Sequence, residues 1–342
     1  MYILVIIFLI SFILTWYLMP FSINSLKEKD IVVVDKYKLN QPKIPTQGAL
    51  IVIFCTFFTV SISTLISKLL NRITADESLV IDQSDISMML VISLFALYGV
   101  FDDLVDIGWW PKVLLPVTFS FPLMVVFEPS VINFPLGYDI FISSMSLGIL
   151  EELNFFSDDL FKLLIIPIYI MVVSNLVNMH SGFNGLQSGL SCLLLSSIII
   201  FSLLNQSSKN LIPAVALLGS MIVLWSYNKF PAQIFEGNIG SMTFGATIGC
   251  VLVIKEYYIF GIIILIPHII DFIFWFYESR ILKKRFKKFG YINNDGTINS
   301  PTPMKLKFTL PFYYSMKEKE VVNSLYLLTL IFCLIGIFIF RL

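Results

Sequence analysis

Phe101-Asp102-Asp103-Leu104-Val105-Asp106 sets three carboxylates at the end of an apolar run, in a chain that is 57% hydrophobic and only 13% charged. Ionisable groups at hydrocarbon depth are costly, so such a cluster marks a functional site by default. At a membrane edge the same carboxylates are placed to hold a divalent metal beside a phosphate. Outward from this point apolar runs continue along all 342 residues. At about 20 apolar residues per crossing they predict an all-α, polytopic membrane protein, organised as a single domain over 1–342.

Ten spans are predicted, at roughly 2–24, 47–70, 86–101, 112–127, 161–180, 189–205, 210–227, 239–254, 257–279 and 321–341. The stretch 128–160 is mixed, with Pro129, Pro135 and Gly137 before a short apolar run, and reads as a hairpin or a re-entrant piece. The 23 basic residues balance 23 acidic ones, so net charge points to no partner, and no nucleic acid is expected. Their placement is informative. Seventeen of the 23 fall in the loops after spans 1, 3, 5, 7 and 9, which puts those loops in the cytoplasm and both termini on the opposite side. Cys55, Cys192, Cys250 and Cys333 all lie inside apolar runs without metal-site spacing, and read as small hydrophobes. No basic leader or cleavage site precedes the first span, which is expected to be retained.

Every chemically loaded stretch lies in one of those five loops, and no internal repeat is visible. A transporter would more often carry its site at mid-bilayer in repeated, broken helices. The one-sided arrangement favours an enzyme with a cytoplasmic-face active site. In the loop after span 3, Asp102 and Asp106 share a helical face, and Lys112 is placed to meet a pyrophosphate as a point charge; interfacial Trp109 and Trp110 with a snorkelling Lys112 are the structural alternative. After span 5, Asn175 to Gly189 holds asparagines and glycines suited to close approach of a ligand, and His180 reads as a hydrogen-bonded loop residue. The turn Phe235-Glu236-Gly237-Asn238 opens span 8 with backbone N–H groups suited to an anion. The basic stretch Arg280 to Lys288 serves either a ligand or anionic lipid. Asp271, in span 9, either faces the cavity or pairs with His268.

Together these loops resemble the polyprenyl-phosphate N-acetylhexosamine-1-phosphate transferase superfamily, and most of all its eukaryotic and archaeal branch acting on UDP-GlcNAc and dolichyl phosphate. Asp102-Asp103 through Lys112-Val113-Leu114-Leu115-Pro116, Asn175 through Gln187, and Tyr227-Asn228-Lys229-Phe230-Pro231 with Phe235-Glu236-Gly237 carry the resemblance. It implies about ten transmembrane helices and transfer of a sugar phosphate from a cytosolic UDP-sugar to a lipid phosphate, with Mg2+ as cofactor. The implied partners are UDP-GlcNAc, dolichyl or polyprenyl phosphate and membrane lipid, with a homodimer left open. By the same resemblance Asp102, Asp103 and Lys112 are catalytic, and Asn178 and Asn238 are metal ligands. Asn184, Gly182 and Phe183 bind the nucleotide, while Lys38, Arg285 and Lys287 contact substrate. Asn238 stands where the family usually has an aspartate, and the family's histidine motif after span 9 has no counterpart. The same reaction with another UDP-HexNAc sugar, or a non-catalytic lipid or nucleotide-sugar binding or transport protein on the same scaffold, is the alternative these departures raise.

Overall fold

A computed structural model describes residues 2–74, 81–105, 108–135, 139–141, 161–283 and 289–341. The chain folds as α1 (Tyr2–Glu28), a hairpin of β1 (Val32–Val34) and β2 (Lys43–Pro45), α2 (Ala49–Thr74), α3 (Gln83–Val105), α4 (Trp109–Phe119) and α5 (Phe121–Val126). A second hairpin pairs β3 (Val131–Asn133) with β4 (Asp139–Phe141) in the stretch expected to be mixed. A wide turn at Phe161–Ile165 then leads into α6 (Ile166–Met179), followed by α7 (Leu186–Leu204), α8 (Ile212–Asn228) and α9 (Gly237–Ile254). After these come α10 (Tyr258–Ile264), α11 (Ile266–Phe276), a small hairpin of β5 (Tyr291–Ile292) and β6 (Ile298–Asn299), α12 (Leu306–Tyr313) and α13 (Glu318–Ile339).

The protein is an integral membrane protein built on helices. Among the described residues six segments are long and apolar enough to cross a bilayer, and a seventh if α10 and the segment Ile266–Ile281, bent by 68° at Leu265, count as one span. The other three expected spans coincide with shorter apolar helices, Ala49–Leu65, Trp110–Val126 and Ile212–Asn228. The second of these is broken at Ser120, which ends α4 and begins α5.

Burial separates inside from outside. In α9, 89% of the apolar stretch is buried, against 28% in α1 and in α13, so α9 is the central post and the terminal helices are peripheral. Central position demands close approach, and small residues supply it. A side chain at Gly99 of α3 would meet the Ile239 backbone at 2.4 Å, and one at Gly245 of α9 would meet the Ser174 backbone of α6 at 2.6 Å. A buried hydroxyl seam, Ser11 to Ser220 at 2.6 Å and Thr15 to Ser220 at 2.8 Å, fastens α1 to α8; with lipid outside, such hydrogen bonds add cohesion that apolar packing alone does not. All four cysteines are buried and free, as expected.

Candidate active site

The β1–β2 hairpin, the end of α3, the loop between α6 and α7 and the start of α9 converge on one cavity of about 610 Å3. Asp103, Asn178, Gly182, Phe183, Asn184 and Asn238 all line it. Six candidates spread over 136 positions of chain therefore meet at one place. Asp102 lies directly behind, 4% exposed, with Oδ1 2.8 Å from Lys112 Nζ and Oδ2 accepting from Asn238 Nδ2 at 2.9 Å.

The start of α9 differs from expectation. Its backbone amides face an anion, but that anion is the protein's own: Asn238 N donates to both oxygens of Asp103, at 3.2 and 3.1 Å. The positive end of the helix holds the carboxylate in place, and Gly237, with φ of +74°, makes the turn that aims it. A Cβ at Gly237 would meet Asp103 Oδ2 at 2.9 Å. Asp103 remains exposed to the cavity, whereas Asp102 is consumed by its two partners.

Asn184 is also differently employed. Its Nδ2 donates to Asp35 Oδ2 at 3.1 Å, its Oδ1 accepts from Ala232 N at 3.0 Å, and its own N–H donates to Glu318 Oε1 at 2.6 Å. The amide thus clamps three loops together rather than pointing freely at a ligand. Lys38 is drawn into the same clamp, 2.6 Å from Glu318 and 3.1 Å from Asp35, and does not line the cavity. Asp35 and Glu318, 4% and 1% exposed, hold this clamp together and were not marked by sequence motifs. Phe183 packs edge-on against Tyr37, with ring centroids 4.8 Å apart, and Gly290 N donates to the Tyr37 hydroxyl. Burial pushes that hydroxyl up to about 12, so it stays protonated.

His180 is not the hydrogen-bonded loop residue expected. It is 1% exposed, edge-on to His268 at 4.7 Å, and neither ring nitrogen has a hydrogen-bond partner among the described residues. Burial, aided by Lys307 and Lys305, holds its pKa down at about 3. Asp271 neither lines the cavity nor bonds His268; its Oδ1 accepts from Leu306 N at 2.7 Å. Nearby Lys307 donates to Ser181 O at 2.7 Å and lies under Gly182, whose φ of +109° is a conformation that other residues rarely adopt. Asp106, Arg285 and Lys287 lie outside the described residues.

The oxygen donors Asp103, Asn178 and Asn238 line the cavity, and among the described residues no group of three His, Cys, Asp or Glu is close enough to hold a metal alone. Magnesium fits such a set, because it keeps several waters or substrate oxygens and needs few carboxylates. Asp103, with amide oxygens from Asn178 and Asn238, is the available donor set.

Beside the cavity, an apolar groove runs between α6 and α11 past the bend at Leu265. Two hollows of about 370 and 300 Å3 share Val172, Leu176 and Phe272. The groove becomes polar at one end, where Asn175 and Arg280 stand beside Val113, the neighbour of Lys112.

Comparison with known proteins agrees with this geometry. The model of glycosyl transferase family 4 matches residues 86–256. The chain is 28% identical over 334 residues to a Saccharolobus solfataricus protein provisionally named UDP-N-acetylglucosamine–dolichyl-phosphate N-acetylglucosaminephosphotransferase, covering 96% of this chain and 94% of that one. A Sulfolobus acidocaldarius protein of the same name is 24% identical over 338 residues, covering 96% and 94%. A phospho-N-acetylmuramoyl-pentapeptide-transferase of Limosilactobacillus reuteri is 26% identical over 260 residues, covering 70% and 71%.

Proposed function

The chain belongs to glycosyl transferase family 4, and from that membership we propose that it transfers GlcNAc-1-phosphate from UDP-GlcNAc to dolichyl or another polyprenyl phosphate. The products are polyprenyl-diphospho-GlcNAc and UMP, the opening step of a lipid-linked glycan for N-glycosylation. The observation that carries the reading is a pair of unlike spaces served by one helix: α6 gives Asn178 to a cavity that holds an exposed aspartate, and Asn175 to an apolar groove that takes Arg280 at the same end. A soluble and a lipid substrate require both spaces.

In this reading the polyprenyl chain lies along α6 and α11, with its phosphate near Arg280 and Lys112. An oxygen of that phosphate attacks the β-phosphorus of UDP-GlcNAc. The bond from β-phosphorus to the bridging oxygen breaks, and UMP departs with that oxygen. Magnesium, when bound at Asp103, Asn178 and Asn238, supplies the positive charge that lets two phosphates approach. Lys112 is held by Asp102 at the groove's end, and so meets the lipid phosphate already oriented. Gly182 and Phe183 form the wall for the nucleotide, braced by the clamp of Asn184, Asp35 and Glu318. The ten segments cross the membrane as ten spans with the cavity at the cytoplasmic face.

Purified protein is tested for UMP release from UDP-GlcNAc with dolichyl phosphate, with and without magnesium, beside Asp103→Asn. Magnesium-dependent release by the parent and loss of at least 100-fold in the variant is the expected result, on the scale of removing one electrostatic stabiliser. No release by a folded parent that still binds UDP makes the chain a binding protein on this scaffold.

A further inference from the structure

A second, smaller cavity of about 220 Å3 sits at the same end of the molecule, between the last turn of α8 and the first turns of α13. Lys229, Lys319, Asn323, Trp225 and Phe230 line it, and Asn184 is shared between this cavity and the larger one. Small-molecule sites usually occupy about 300–1,000 Å3, so this one takes a headgroup rather than a nucleotide. No acidic side chain lines it. Two carboxylates of the first turn of α13 are committed elsewhere: Glu318 to Lys38 and Asn184 N, and Glu320 to Lys317 N. Among the described residues neither lysine has an ion-pair partner, and Lys229 lies 5.5 Å from the Trp225 ring.

Below the cavity α13 continues the same face in apolar form. Lys319 and Asn323 are one helical turn apart, and Leu327, Leu330, Ile331 and Leu334 follow at steps of three and four, exposed by 59%, 40%, 44% and 57%. A basic pocket at the end of two membrane helices with an apolar strip leading from it has the form of an anionic lipid site.

We propose that this cavity binds the phosphate headgroup of an anionic phospholipid, with its chains along α13. Occupancy is transmitted to the nucleotide wall by direct contacts. The Tyr326 hydroxyl, which lines the cavity, receives Trp225 Nε1–H at 2.9 Å and donates to Gly185 O, next to Asn184. A Cβ at Gly185 would meet the Lys229 backbone at 2.8 Å, so ordering Lys229 orders the loop that carries Gly182 to Gly185.

The test reads binding and so stands apart from the transfer reaction. Detergent-purified protein is stripped of lipid, incubated with phosphatidylglycerol or phosphatidylcholine, and its bound lipid is counted by native mass spectrometry. The parent is expected to retain one phosphatidylglycerol and no phosphatidylcholine, and Lys229→Gln/Lys319→Gln to bind about thirtyfold more weakly, as two surface charges are lost. The Lys229→Arg/Lys319→Arg variant restores retention, and Lys29→Gln/Lys43→Gln, elsewhere on the chain, leaves it intact. Equal retention by the parent and the Gln pair overturns the proposal. Displacement by millimolar inorganic phosphate overturns the lipid assignment and leaves a soluble phosphate as the ligand.

Discussion

Removing Glu318 separates the clamp behind the nucleotide wall from the wall itself. Glu318 is 1% exposed, with Oε2 2.6 Å from Lys38 Nζ and Oε1 receiving Asn184 N–H at 2.6 Å. Glu318→Gln keeps the shape and the acceptor for Asn184, and removes only the charge facing Lys38. Lys38 still has Asp35 at 3.1 Å, so the cost falls below the ~3–5 kcal/mol of stranding a buried charge, at about 2 kcal/mol. Glu318→Ala additionally orphans the Asn184 N–H, worth about 1–3 kcal/mol. The difference between the two variants is therefore about 2 kcal/mol and falls on a residue of the cavity wall. If the wall bears all of it, UDP binds about 30-fold more weakly to the Ala than to the Gln variant. Calorimetric titration of UDP into each protein measures this. Equal UDP affinity in the two variants would refute the view that the clamp shapes the nucleotide site.

The other predictions are shorter. Asn238→Asp places a carboxylate 2.9 Å from Asp102, a repulsion of about 6 kcal/mol at an effective dielectric of about 20, taken as an upper bound. The variant is expected to melt lower than the parent without magnesium and to gain more from added magnesium; identical melting responses would contradict Asn238 at the metal. His180, held near 3 against an ordinary 6.5, stays neutral in the folded protein while the unfolded chain takes up a proton below pH 6.5. Its stabilising share is complete above that pH and declines as pH falls towards 3, by about 2 kcal/mol at pH 5. Melting curves of His180→Leu should lack that part of the acid decline. Leu176→Trp fills the groove floor shared by both hollows, and should raise KM for the polyprenyl phosphate while leaving UDP affinity unchanged.

What was legible in the sequence follows the range of each signal. Apolar runs are one-dimensional, so all ten helical segments were placed, although where a segment breaks or bends, as at Ser120 and Leu265, is decided by neighbours and not by hydropathy. Asp103, Asn178 and Asn238, which line one cavity, were singled out because each belongs to a local run of polar residues interrupting an apolar one. The clamp was not found. Its bonds join Asn184 to Asp35 and to Glu318 across 149 and 134 positions, and neither carboxylate belongs to any local pattern. The ion pairs of Lys38 were not foreseen for the same reason: a lysine beside a motif suggests a substrate contact, while its distant acidic partner Glu318 is invisible in the chain. The amides at the start of α9 were correctly read as anion-binding, but the nearest anion was Asp103 itself.

That last point bears on why an asparagine works at position 238. Asp102 and Asp103 contribute two negative charges and Lys112 one positive, so the cluster carries a net charge of −1 with Asn238 and would carry −2 with an aspartate there. Two phosphates must approach this surface, and each added negative charge on it opposes them as well as attracting a metal. Asn238 meets this conflict with its side chain. Its Nδ2–H ties Asp102 down, beside the backbone N–H that any residue here gives Asp103, so both carboxylates are held in place before any cation arrives. An aspartate offers no side-chain donor to Asp102 and depends on the cation to hold the three carboxylates together. On the proposed reading the asparagine gives up a charge towards the metal and keeps both carboxylates ordered without it, so the magnesium response of Asn238→Asp, rather than its activity alone, distinguishes the two designs.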